Sequence, residues 1–313
     1  MMQHTKRWQN RVTTGRSTLP VAIVIAVACW LLGTTTWSQH AWLPASIGLL
    51  GYGLMGYFLI LLNNAYAIIR MRASMQTAFF FLFVATCPFI YTLYEGEVAA
   101  AAFLGTLFFL FRGYQSVAPE ADLFYAFACL GLGSLWIPWL LWMVPWLWIG
   151  AYNFRALSLR SFMASCVGLA FPYWCGVGYV VWSGDATFYT RILAELTTFQ
   201  PLCSGFAGWE IATLVYLLIL YVVSTAHCLL VGYEDKMRTR SYLHFLILVT
   251  LYIFLAIGLQ PIWGVKLLPL LFMLVSMLAG HLFVLTHSRS SNLFFIATWV
   301  GLLLLYIGNV WKN

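Results

Sequence analysis

Apolar residues along this chain come in long continuous runs. They cover about 18–36, 43–62, 77–94, 98–111, 121–135, 137–152, 161–182, 209–231, 243–259, 265–286 and 292–310. Most approach the roughly 20 residues that an α-helix needs to cross a hydrocarbon core. Backbone polar groups in lipid must pair internally, so each run reads as a helix. A transmembrane barrel would instead show short alternating segments. The expected fold is all-α: a single integral membrane domain over 1–313, with about eleven transmembrane helices. Composition agrees, with 63% hydrophobic and 8% charged residues, where a soluble domain carries about 25% charged.

Lysine and arginine give the expected orientation. Lys6, Arg7, Arg11 and Arg16 form a basic tail of 17 or so residues before the first run, which places the N-terminus in the cytoplasm. Alternating from there, the cytoplasmic side receives Arg70, Arg72, Arg112, Arg155, Arg160, Lys236, Arg238, Arg240 and Arg289, and the outer side only Arg191, Lys266 and Lys312. The split is 13 against 3 and puts the C-terminus outside. The first run resembles a signal peptide but lacks a clear small-residue cleavage site, so an uncleaved first helix is expected. The net charge of +7 is mostly this asymmetry. It calls for membrane lipids as partners and for no nucleic acid.

Charge also decides how to read 121–152, an apolar run of 32 residues. A single crossing would swap every later loop and lower the split to 10 against 6. Two short crossings, or a re-entrant pair, keep it. Gly131, Gly133 and Pro138 supply the turn. The second arm carries Trp136, Trp139, Trp142 and Trp146 at spacings of three, three and four, which on one α-helix form one stripe. Tryptophan favours the bilayer interface; a lipid-binding role for the four is the functional alternative. Pro138 and Pro145, seven apart, would bend that helix from one side.

The outer loop 183–208 contains "TFYTRILAELTTF" (187–199). Phe188, Ile192, Leu196 and Phe199 recur there at helical spacing, which predicts an amphipathic helix on the membrane surface, ended by Pro201.

Candidate chemistry is sparse. There are nine carboxylates, none before Glu95 and none in the middle of a run, which weighs against an ion-driven transporter. Glu95 and Glu97 fall in an outer turn, where a carboxylate could act as general base on a lipid-linked sugar acceptor. Arg70, Arg72, Arg112, Arg155 and Arg160 could hold a phosphate or lipid headgroup on the cytoplasmic side. His281 lies well inside a run, with His227, His244 and His287 nearer run ends; with no HxxxH pair, no metal and no cofactor are expected, and His281 is read as one interhelical hydrogen bond. Six cysteines, Cys228 among them, fall within runs and read as small packed hydrophobes, with no CxxC spacing.

"LLNNAYAIIR" (61–70), "LFRGYQ" (110–115), "ADLFYAFACLGLGSLWIPW" (121–139) and "LRSFMASCVGLAFPYW" (159–174) resemble a function-unassigned family of bacterial polytopic inner-membrane proteins. That resemblance implies a shared architecture and the bacterial inner membrane. A fainter likeness is to polytopic lipid-dependent glycosyltransferases, which have around eleven helices, surface helices outside and a glycine-spaced helix that Gly131, Gly133 and Leu135 fit loosely. That family carries its principal catalytic carboxylate in the first outer loop, which here is "TWSQHAW" (36–42), with His40 and no acid. The expected function is therefore a non-catalytic accessory or scaffold component of envelope assembly with a protein partner. The alternatives are an enzyme or flippase handling a polyprenyl-phosphate-linked glycan, and a passive small-molecule carrier.

Overall fold

The computed structural model describes residues 8–13, 15, 17–34, 42–69, 74–92, 94–184, 187–197, 208–232, 235–286 and 288–311. Among them the chain is helical, with no strand. The α-helices are α1 (Trp8–Thr13), α2 (Thr18–Thr34), α3 (Trp42–Tyr66), α4 (Met75–Thr86), α5 (Tyr94–Arg112), α6 (Glu120–Ser134), α7 (Val144–Asn153), α8 (Leu159–Ser183), α9 (Thr187–Thr197), α10 (Gly208–Val231), α11 (Met237–Leu259), α12 (Gly264–Leu285) and α13 (Arg289–Trp311). Among the described residues, α3, α5, α8, α10, α11, α12 and α13 are long and apolar enough to cross a membrane. Helices α2 and α4 are apolar but shorter. The protein is thus a helical membrane protein, with seven apolar helices able to span among its described residues.

By contact the chain divides into two compact units. The first comprises 1–93, 206–250 and 271–313, and the second 94–205 and 251–270.

In the first unit, α4 is buried along nearly its whole length and packs against α2, α3 and α13. The α12 residues from Leu271 to Val284 are all buried. Neither helix has a polar face, and a helix apolar all round belongs inside other helices. The two approach closely at Gly280: a Cβ there would lie 2.9 Å from both Cα and Cβ of Gln76. Phe79, Phe283 and Phe295 fill the space beside them with mutual ring contacts of 5.1–6.4 Å.

Polar side chains in this unit close helix ends. The last carbonyls of a helix have no partner within it, and lipid offers no water to take its place. Gln9 Nε2 donates to Phe283 O (2.8 Å) and Thr286 O (2.9 Å), closing the end of α12. Asn309 Nδ2 donates to Thr86 O (2.9 Å) at the end of α4. Asn63 Oδ1 accepts from Ile69 N–H (2.9 Å) just past α3, and Gln76 Nε2 donates to Leu59 O (2.7 Å) within it.

The second unit is built on α6, packed between α5 and α8. Small residues make those seams. A Cβ at Gly168 of α8 would collide with the Phe124 carbonyl of α6, and one at Gly131 would lie 2.9 Å from Leu169 O. Close backbone approach through small residues is the usual route to helix association in membranes. Helix α8 begins with a capping box: Ser158 Oγ accepts from Ser161 N–H (3.2 Å) while Ser161 Oγ accepts from Ser158 N–H (2.7 Å). It ends at Gly184, whose φ of 71° suits glycine.

The apolar run 121–152 is not one continuous α-helix. Helix α6 ends at Ser134, Ile137 is extended, and a 3₁₀ segment, Pro138–Met143, leads into α7. Pro138 and Pro145 both stand in the first turn of a helical segment. This corrects the expectation that they bend one helix from within. At a first turn the missing N–H costs nothing and the fixed φ is already helical.

Candidate functional site

Glu95 and Glu97 belong to the first turn of α5, whereas the sequence pattern places them in a preceding turn. Four polar-looking residues before 98 read as a loop. An acidic residue in a first turn is favoured by the partial positive charge of the helix N-terminus, so the helix begins earlier. Glu95 forms an ion pair with Lys266, and the Lys266 ammonium also sits 5.0 Å over the Trp263 ring. Between the two acids, Gly96 lies directly against the Lys266 backbone, with no room for a side chain. Glu97 is half-buried. The pair therefore consists of one neutralised carboxylate and one carboxylate at a docked helix start.

The four tryptophans do not form one stripe. Trp136 precedes the extended Ile137, Trp139 and Trp142 lie on the 3₁₀ segment, and Trp146 is on α7. The change from extended to 3₁₀ to α backbone breaks the 3.6-residue period that the spacing assumes. Trp139 is buried and stacks on Tyr252 at 5.6 Å, and Trp146 meets the same ring at 5.1 Å. Trp136 and Trp142 are exposed. Two of the four thus anchor the hairpin to the 251–270 segment, and two face outward.

Residues 187–197 form a helix, α9. Ile192 is buried, Arg191 pairs with Glu195 (3.3 Å), and the helix packs on the 3₁₀ segment of the hairpin. Tyr189 Oη donates to Tyr173 O (2.6 Å), tying α9 to α8. Pro201 and Phe199 lie outside the described residues, as do His40, Lys6, Arg7 and Arg16.

Of the five candidate headgroup arginines, Arg70 and Arg72 also lie outside the described residues. Arg112 pairs with Asp122 (3.2 Å) at the start of α6. Arg155 and Arg160 are exposed. Gln115 N–H donates to Phe154 O (3.0 Å), so the loops after α5 and α7 adjoin and bring Arg112 and Arg155 to one end of the unit.

Among the described residues, one group of metal-ligating side chains lies in the first unit, where sequence reading sees only separate residues. His227 and Cys228 lie near the end of α10, His281 lies near the end of α12, and Asp235 follows α10. His281 Nε2 is 3.1 Å from Asp235 Oδ2, and its Nδ1 is 3.6 Å from Cys228 Sγ. The His227 and His281 rings are 6.1 Å apart. Side-chain exposure is 1% at His281 and 5% at Asp235, and Cys228 is buried. His281 does make the interhelical contact that its position predicts. Cys228 meets a ring nitrogen rather than apolar neighbours alone. His244 is exposed, and His287 lies outside the described residues. The partners stand 46 and 53 positions apart along the chain, so no short motif signals the group.

Comparison with protein-family models, with curated proteins and with solved structures returns no match.

Proposed function

We propose that this chain is a non-catalytic multi-pass membrane protein, an accessory or scaffold component of envelope assembly in the bacterial inner membrane. In this reading it crosses eleven times, N-terminus inside and C-terminus outside. The observation that carries the reading is how its polar side chains are used. Gln9, Asn63, Gln76 and Asn309 pair with backbone groups at or within helices. Of the candidate acids, Glu95 is held by Lys266. A site for group transfer needs polar groups directed at a substrate; these are directed at the protein itself.

The test is a pair of measurements on cells and on purified protein. Glu95→Gln and Glu97→Gln are expected to leave lipid-linked glycans unchanged, and the wild-type protein is expected to purify with a stoichiometric protein partner and no polyprenyl-phosphate. Loss of a glycolipid in Glu97→Gln, with a polyprenyl-phosphate species retained by the wild type, would overturn the proposal. That outcome is the second reading, a protein handling a lipid-linked glycan. It is favoured by one observation: exposed Trp142 lies on the 3₁₀ segment against which α9 packs, and exposed Trp136 lies just before it.

A further inference from the structure

We propose that His227, Cys228 and His281 bind a single transition-metal ion of the zinc class, with Asp235 as the carboxylate that orients His281. The proposal stands apart from the scaffold reading and survives its failure.

The donor set comes first. Two imidazoles and one thiolate are ligands for Zn²⁺ or Cu⁺, and not for Mg²⁺ or Ca²⁺, which take oxygen. The donor atoms of the three side chains all lie within 4.8 Å of one another. In a tetrahedral site with metal–sulfur near 2.3 Å and metal–nitrogen near 2.0–2.1 Å, adjacent sulfur and nitrogen ligands stand about 3.5–3.6 Å apart. Cys228 Sγ and His281 Nδ1 stand 3.6 Å apart. A separation of 4.8 Å has to shorten by roughly 1.2–1.5 Å to reach the ligand spacing of a tetrahedral site.

The tautomer comes second. Asp235 Oδ2 is an acceptor, so a neutral His281 carries its proton on Nε2 and donates it there. Its Nδ1 then presents a lone pair on the side where Cys228 Sγ lies. A carboxylate behind the ligating histidine is the usual outer partner at metal sites, fixing ring orientation and raising ligand basicity.

Charge balance comes third. The ion displaces the Cys228 thiol proton, which leaves to solvent. One thiolate and one carboxylate then offset the two positive charges of Zn²⁺ in a buried setting. His227 is adjacent to Cys228 on the same helix, and the three ligands leave a fourth position for water or another small ligand.

The experiment uses the full-length protein in detergent. Metal-free protein is titrated with Co²⁺, a spectroscopic stand-in for zinc, and the expected result is saturation at one ion per chain. The expected spectrum has intense tetrahedral visible bands and a thiolate-to-cobalt near-ultraviolet band, both lost on adding Zn²⁺. Cys228→Ser is expected to abolish the near-ultraviolet band. Asp235→Asn is expected to keep the spectrum while weakening affinity about 10- to 100-fold. Helical circular dichroism and elution volume establish that each variant is folded. Retention of stoichiometric Cu⁺ in place of zinc, lost in Cys228→Ser, also upholds the site. A wild-type protein that takes up no more Co²⁺, Zn²⁺ or Cu⁺ than a folded Cys228→Ser, His281→Asn double variant overturns it.

Discussion

Replacing Gly168 by alanine tests the seam between α6 and α8. The added methyl would collide with the Phe124 carbonyl, and it would lie 3.0 Å from both the carbonyl carbon and Cα of Phe124. These are backbone atoms of a packed helix and cannot rotate away, so the helices must separate. Overpacking of this kind costs about 1–3 kcal/mol. Alanine returns up to about 1 kcal/mol of helix propensity over glycine, leaving a net loss of about 0–2 kcal/mol. Gly178, on the same helix, is the internal control: nothing lies within 4 Å of a Cβ built there. Gly178→Ala keeps the propensity gain and pays no overpacking cost. The two identical substitutions are therefore predicted to move stability in opposite directions. At about 2–4 °C per kcal/mol, thermal unfolding in detergent, followed by the fraction that remains monodisperse, separates them by several degrees. Gly168→Ala is expected to melt below the wild type and Gly178→Ala at or above it. Equal melting temperatures would refute the close-packed seam.

Trp139→Ala is expected to cost about 3–5 kcal/mol as a buried aromatic, while Trp142→Ala stays within about 0.5 kcal/mol of wild type; the same unfolding assay separates them. Asn309→Leu removes the donor to Thr86 O and is expected to destabilise by about 0.6–2 kcal/mol, read from the unfolding midpoint. The Glu95–Lys266 pair is partly exposed, at 40% and 31%, so a double-mutant cycle with Gln and Met is expected to return a coupling of about 1 kcal/mol or less.

Much of the helical framework is legible in the sequence because the membrane leaves so few choices. Continuous runs such as 161–182 and 209–231 become α8 and α10 with ends shifted by a few residues. The errors arise where a local rule outweighs hydrophobicity. Helix α5 extends to Tyr94 because Glu95 and Glu97 suit a helix N-terminus, although they look like a loop. The tryptophan stripe fails because its spacing assumes a single α period, and the extended Ile137 and the 3₁₀ turn after it replace that period. The buried histidine–cysteine–aspartate group is illegible for another reason. His281 meets Cys228 and Asp235 only after α12 has packed beside the end of α10. Neither hydrophobicity nor charge records which run lies beside which. Arg112 shows a partial case: the sequence pattern places it at the end of an apolar run, and the fold adds its partner Asp122.

The bond from Gln9 to the end of α12 has a consequence for biosynthesis. The donor belongs to the first helix, and its acceptors, Phe283 and Thr286, lie 274 and 277 positions later. The core of the second unit, 94–205, is continuous in the chain and can assemble as it emerges. The first unit draws on three separated stretches, the last ending at Asn313. Helix α1 must therefore wait, its glutamine unengaged, until α12 has been made. Quality control that samples the nascent protein before then would meet an open first unit. Closure of that latch reports that everything between α1 and α12 is in place.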